Sequence, residues 1–106
     1  MNMHEMKQSS RAAADLMRLL SNEHRLMILC QLVTGERSVG ALAELLGVRQ
    51  TVVSQHLSLL RRDGIVAPRR DGQTIYYSLD SAAARQVIET LYRLYCAPAE
   101  AAEATA

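Results

Sequence analysis

Thr51, Ser54, Gln55 and Ser58 follow one another at i, i+3, i+4, i+7, the spacing of a single helical face. All four are short hydrogen-bonding side chains. Laid in a major groove, such a face lets a helix backbone approach the base edges, and an amide such as Gln55 can pair bidentately with adenine. Taken alone, the stripe also suits an ordinary solvated helix face. Arg49 and Gln50 stand at the head of the segment, and Arg69, Arg70 and Gln73 follow it around a second turn. These guanidinium groups could reach phosphates or an adjacent minor groove, or simply decorate a solvated turn. Two cysteines, Cys30 and Cys96, are the other candidates for chemistry. Cysteine is often no more than a small buried hydrophobe, and Cys30 falls on an apolar stripe.

The elements that must carry these residues can be read in order. Met6, Ala13, Leu16, Met17 and Leu20 recur at helical spacing and predict a first helix from about His4 to Leu20. Ser21 is placed to cap a second, Asn22 to Val33, whose stripe is Leu26, Leu29, Cys30 and Val33 and which Thr34-Gly35 ends. Ser38 caps a third, with Val39, Leu42, Ala43 and Leu46 on one face and Gly47 as the left-handed residue that turns the chain. Helix four, Arg49 to Asp63, opposes Val53, Leu57 and Leu60 to the polar stripe. Ile65 to Arg70 and Gln73 to Leu79 are strand-like, joined through Asp71-Gly72 as a two-residue hairpin turn, and Pro68 confines its strand to an edge. A last helix runs from the Asp80-Ser81 cap to about Cys96. Ser38 to Leu79 therefore has the order of a helix-turn-helix followed by a wing.

The fold expected is mostly α with a small β-hairpin: one winged helix-turn-helix domain over 1–96, followed by an Ala- and Glu-rich tail, 97–106, expected to be disordered. With four tyrosines as the whole aromatic complement of 106 residues, the core should be Leu, Ile, Val, Met and Ala. The first and last helices carry more apolar surface than this core needs, which predicts a homodimer through the terminal helices. No apolar run approaches the ~18 residues of a membrane span, and the N-terminus has no export signal, so no membrane partner and a cytoplasmic location are expected. The net charge of +1 is low for a nucleic-acid binder, yet Arg49, Arg61, Arg62, Arg69 and Arg70 face only Asp63 and Asp71 within the stretch 49–74. No catalytic constellation, phosphate-cradling glycine loop or metal-ligand spacing is present, so neither an enzyme nor a cofactor is expected. A thiol oxidoreductase would want Cys-x-x-Cys at a helix N-terminus, whereas these cysteines are far apart and near helix C-termini. A winged-helix module that binds protein rather than DNA remains the alternative from another class.

Ser21-Asn22-Glu23-His24-Arg25-Leu26-Met27-Ile28-Leu29, Ser54-Gln55-His56-Leu57 and Leu60-Arg61-Arg62-Asp63-Gly64-Ile65-Val66 resemble the arsenic-repressor (ArsR) family of bacterial winged-helix regulators over about residues 6–96. The resemblance implies a dimer built on helices one and five, reading an imperfect palindrome of double-stranded DNA through helix four. Arg49 departs from the family, which more often has a capping serine there. The metal motifs of the family are absent: Ser38-Val39-Gly40-Ala41-Leu42 stands in place of its helix-three cysteines, and no histidine follows Asp80. The three histidines do not cluster in the sequence; His24 and His56 read as structural and His4 as part of a mobile terminus.

The pairing of Cys30 with Cys96 is similar to that of the sulfide-responsive subgroup of the family. It implies a redox-sensing dithiol that reacts with reactive sulfur species, forms a disulfide or polysulfide link and releases DNA. Family members blind to sulfur, with inert cysteines and another effector, are the alternative. Both thiols lie near helix C-termini, where the dipole disfavours a thiolate, and Arg93 is placed to offset this at Cys96. Because each inserted sulfur lengthens a bridge by about 2 Å, the span between the thiols could select polysulfide over disulfide.

Overall fold

The computed structural model describes residues 1–96, and the expected tail, 97–106, lies outside the described residues. Its elements are α1 (Met3–Leu20), α2 (Glu23–Val33), β1 (Arg37–Ser38), α3 (Val39–Leu46), α4 (Gln50–Arg62), β2 (Val66–Asp71), β3 (Thr74–Leu79) and α5 (Ala82–Tyr95). No helix among the described residues is long and apolar enough to cross a membrane.

Local chemistry sets most boundaries. Asn2, Asn22, Ser38 and Ser81 each accept backbone N–H groups at the head of a helix, satisfying donors that have no partner within the first turn. Asn22, not Ser21, therefore caps α2; the Ser21 hydroxyl instead turns back and donates to the Arg18 carbonyl at 2.8 Å. His4, expected in a mobile terminus, lies in the first turn of α1, where its N–H meets the Asn2 cap at 3.0 Å. Gly47 has φ +69 and ends α3, a conformation that costs a side-chain-bearing residue about 1–2 kcal/mol.

The sheet departs from a simple hairpin. It has three strands in the order β1-β3-β2, because Arg37 and Ser38 pair with Tyr77 and Tyr76. Two residues are too few to show alternation, so β1 leaves no pattern in the sequence. Between β2 and β3, Asp71 pairs with Thr74, which moves the turn one residue along from Asp71-Gly72 to Gly72-Gln73. Gly72 has φ +64, and no non-glycine residue among the described residues has positive φ. That is the sign pattern of a type II′ hairpin, which needs glycine at the first central position. Pro68 sits on β2, an edge strand, where its missing N–H costs no ladder bond.

The core gathers Leu19, Leu20, Ile28, Leu29, Leu32, Leu42, Ala43, Val53, Leu57, Leu60, Ile65, Val66, Tyr77, Ala84 and Ile88. No methionine belongs to it. Met6 and Met17, on the stripe expected of the first helix, are exposed at 44% and 53%. Helix α2 is the hub, touching α1, α3, α4, α5 and β3. Two arginines fasten it. Arg25 Nε donates to the Leu19 carbonyl at 2.6 Å, closing the C-terminal end of α1, and Arg85 Nη1 donates to the Val33 carbonyl at 3.0 Å, closing that of α2. Each places a cation at the negative end of a neighbouring helix.

The molecule is flat, 47 × 45 × 20 Å, with a radius of gyration of 15.6 Å against the ~13 Å of a compact chain of this size. Its apolar excess is on the terminal helices: Met6 and Met17 on α1 and Tyr92, Leu94 and Tyr95 on α5 are exposed.

Candidate nucleic-acid interface and cysteine pair

Helix α4 is held by one face and offers the other. Val53, Leu57 and Leu60 are fully buried, while Thr51, Ser54, Gln55 and Ser58 all lie on the exposed side. Arg49 occupies the N-cap with extended backbone, φ −71 and ψ 150, and its side chain makes no capping bond. The α4 N-terminus thus presents uncapped N–H groups next to an exposed guanidinium.

Gln50 and Ser54 of α4, Gln73, Thr74 and Ile75 of the wing, and Ser38, Val39 and Gly40 at the head of α3 border one open cleft of about 430 Å³. The structure therefore brings Gln50, Ser54 and Gln73 together. Thr51, Gln55 and Ser58 lie on the outer surface of α4 beside the cleft and do not line it. Ser38, Gly40 and Thr74 were not candidates from sequence, since only the folded sheet brings α3 and the wing to α4.

The two wing arginines have different surroundings. Arg69 forks onto Glu36, with Nε 3.2 Å from both carboxylate oxygens and Nη2 2.6 Å from Oε1, and its guanidinium lies 4.8 Å above the Tyr76 ring. This hydrogen-bonded pairing holds the Glu36 carboxyl below its usual range and pushes Arg69 up. Arg70 is exposed and has no ion pair among the described residues.

His24 and His56, which show no cluster in the sequence, meet edge to face across α2 and α4 with ring centroids 5.6 Å apart. Burial first, then the charges of Arg25 and His24, hold His56 below the usual histidine range. No group of three or more His, Cys, Asp or Glu among the described residues could hold a metal ion.

Cys30 lies in the last turn of α2, half-buried against the core, and Cys96 is the exposed C-cap of α5. Both are free thiols. Burial pushes the Cys30 thiol up, and so, secondarily, does the negative charge of a Cys96 thiolate, which is near enough to be felt. Arg93 directs Nη2 to Thr90 Oγ1, 3.1 Å away and one turn back along the helix.

A sequence model described as "Bacterial regulatory protein, arsR family" matches residues 22–67, the span from the α2 cap into β2. Transcriptional activator HlyU of Vibrio cholerae is 47% identical over 96 residues, covering 91% of this chain and 89% of its own. The chain belongs to the arsR family of bacterial regulatory proteins. A second relative, the biofilm growth-associated repressor of Xylella fastidiosa, is 41% identical, with 92% of this chain and 85% of the relative covered. Solved structures agree with the fold. Reduced HlyU from V. cholerae superimposes with a TM-score of 0.83 over 87% of this chain and 97% of that one. The repressor BigR from X. fastidiosa gives 0.86 at 41% identity, over 91% and 98%. As an arsR-family member the protein is a transcriptional regulator with a winged helix-turn-helix.

Proposed function

We propose that the protein is a dimeric repressor that binds an imperfect palindrome and releases it when Cys30 and Cys96 are bridged by reactive sulfur. The observation that supports the sensing is placement: Cys30 in the last turn of α2 and Cys96 at the end of α5 lie on helices that pack on each other, and a Cys96 thiolate adds to the upward shift of Cys30. On DNA, Thr51, Ser54, Gln55 and Ser58 face base edges, while Arg49, Gln50, Arg70 and Gln73 bind backbone or groove walls. The exposed apolar residues of α1 and α5 supply the dimer contact. The related winged helix-turn-helix domain from Mycobacterium bovis, 30% identical with a TM-score of 0.72, is a homodimer.

An organic trisulfide, RS–S–SR, serves as a sulfane-sulfur donor. One cysteine thiolate attacks its central sulfur and expels RS⁻, leaving Cys–S–S–SR. The second thiolate attacks the same sulfur and expels the other RS⁻, giving Cys–S–S–S–Cys. Two protein thiols are oxidised and one trisulfide is reduced to two thiols, which take up the two protons. A half-buried Cys30 with a raised pKa makes a poor first nucleophile, so exposed Cys96 attacks first. The bridge then ties α2, the hub of the core, to α5, the helix with the exposed apolar face. Shifting one against the other changes the separation of the two α4 helices, which must match ~34 Å along the duplex.

Mass spectrometry of the intact dimer tests this. Trisulfide treatment should add one sulfur and remove two hydrogens per protomer and abolish DNA binding, while Cys30→Ser keeps its DNA. Release of DNA by the Cys30→Ser variant under the same treatment would refute the sensing and favour a regulator with inert cysteines.

A further inference from the structure

Glu36 enters none of the roles above, yet it makes a bidentate ion pair with a wing arginine. We propose that Glu36 and Arg69 form a positioning pair that sets the stance of the wing against α4, leaving Arg70 as the arginine that reaches phosphate. The inference rests on the DNA-binding reading.

Sheet register separates the two arginines. Residues paired across an antiparallel ladder share a face, and successive residues alternate. Arg70 pairs with Ile75 and Arg69 with Tyr76. Ile75 shares its face with Tyr77, which is buried in the core. Arg70 is therefore on the helix side of the wing. Arg69 is on the outer side, on the face of Tyr76, whose ring it covers at 4.8 Å.

Charge leads to the same assignment. Glu36 binds Arg69 with two oxygens, and Asp71 Oδ2 lies 4.0 Å from its Nη1. Two carboxylates around one guanidinium leave a net negative site, which repels a phosphate. The fork that would grip the phosphate is already filled.

Topology says what the pair does. Glu36 immediately precedes β1, which runs through Ser38 into α3, while Arg69 is on β2 at the opposite edge of the sheet. The side-chain bridge spans β3 and joins the two edges directly. The wing is thereby tied to the segment that forms the other wall of the cleft, so its distance from Gln50 and Ser54 is held from both edges of the sheet.

The test is affinity against salt for the full chain and its variants. The probe is a fluorescein-labelled duplex enriched by the wild-type protein from a randomised pool, titrated by anisotropy between about 50 and 200 mM salt. Removing an acid beside DNA should tighten binding if charge alone matters. Positioning predicts the reverse: Glu36→Gln weakens binding by roughly threefold or more, Arg69→Gln does the same, and the double variant is no weaker than the worse single, since the two act as a unit. Neither single changes the slope of log K against log salt, whereas Arg70→Gln reduces it by about 0.9 per protomer. Tighter binding by Glu36→Gln, or a slope lost in Arg69→Gln, would make Arg69 a phosphate ligand and overturn the proposal. Wild-type affinity in both singles would overturn it too. Failure of the wild-type protein to enrich any duplex would sink the DNA-binding reading, and the pair's role with it. Thermal melts at fixed protomer concentration separate these effects from misfolding, and Glu36→Asp, which keeps the carboxylate, should recover part of the affinity.

Discussion

Removing the Arg85 guanidinium should loosen the joint between the two cysteine-bearing helices. Arg85 is half-buried near the N-terminus of α5, and its Nη1 donates to the Val33 carbonyl at 3.0 Å, in the last turn of a helix that has no basic residue of its own there. Hydrogen bonds to charged groups contribute about 1.5–3 kcal/mol. Partial solvent access lowers that here to roughly 1–2 kcal/mol. In Arg85→Met the apolar stem survives while the donor is lost, so the cost is mainly the freed carbonyl and the helix dipole. At about 4–8 °C per kcal/mol for a domain of this size, the melting midpoint should fall by roughly 4–16 °C. Circular dichroism melts measure it, with protomer concentration held constant because a dimer's midpoint depends on it. Arg93→Met is the control, since Arg93 donates to an exposed threonine hydroxyl one turn away on its own helix, and it should move the midpoint by less than about 2 °C. Equal shifts in the two variants, or none in Arg85→Met, would refute the reasoning that a cross-helix cap holds α2 to α5.

Two further outcomes follow from individual caps and charges. Arg49→Ser should stabilise α4 by about 0.5–2 kcal/mol, because serine at that extended N-cap can accept the N–H that Arg49 leaves unmet. The same change should weaken DNA binding and reduce its salt slope by about 0.9 per protomer; a stabilised variant with an unaltered slope would exclude Arg49 as a phosphate ligand. For His56, burial and the charges of Arg25 and His24 depress the folded-state pKa below 6.5. An imidazole depressed in this way contributes stability that is complete above pH 6.5 and is lost as pH falls through the folded value. The melting midpoint of the wild type should therefore drop more steeply below pH 6.5 than that of His56→Gln, and parallel profiles would show that the ring contact with His24 carries no proton linkage.

The features visible in the sequence were those written in short-range code. Ser38, Gly47 and Ser81 announce helix boundaries because a cap or a left-handed turn needs a particular residue within three or four positions. The two faces of α4 are legible for the same reason: Val53, Leu57 and Leu60 repeat against Thr51, Ser54, Gln55 and Ser58. What stayed hidden was written in long-range contacts. The two-residue strand β1 exists only because β3 is there to receive it, and the caps supplied by Arg25 and Arg85 come from other helices. His24 and His56 meet only after α2 and α4 have packed. The turn slipped by one residue because Asp-Gly and Gly-Gln both place Gly72 at a central position, and only the Asp71 to Thr74 pairing chooses between them.

The wing shows why this division matters for function. In the sequence, Arg69 and Arg70 are two adjacent cations at a turn, equal in charge and reach. Sheet register turns that adjacency into opposition, since neighbours on a strand point to opposite faces. Arg69 finds Glu36 and Tyr76 on the outer side, and Arg70 lies with Ile75 on the side of α4. A one-residue change of register would exchange them. On the proposed DNA-binding reading, the turn at Gly72-Gln73 thus decides which arginine faces the duplex. Lengthening that turn by one residue should cost affinity even with every DNA-facing side chain retained.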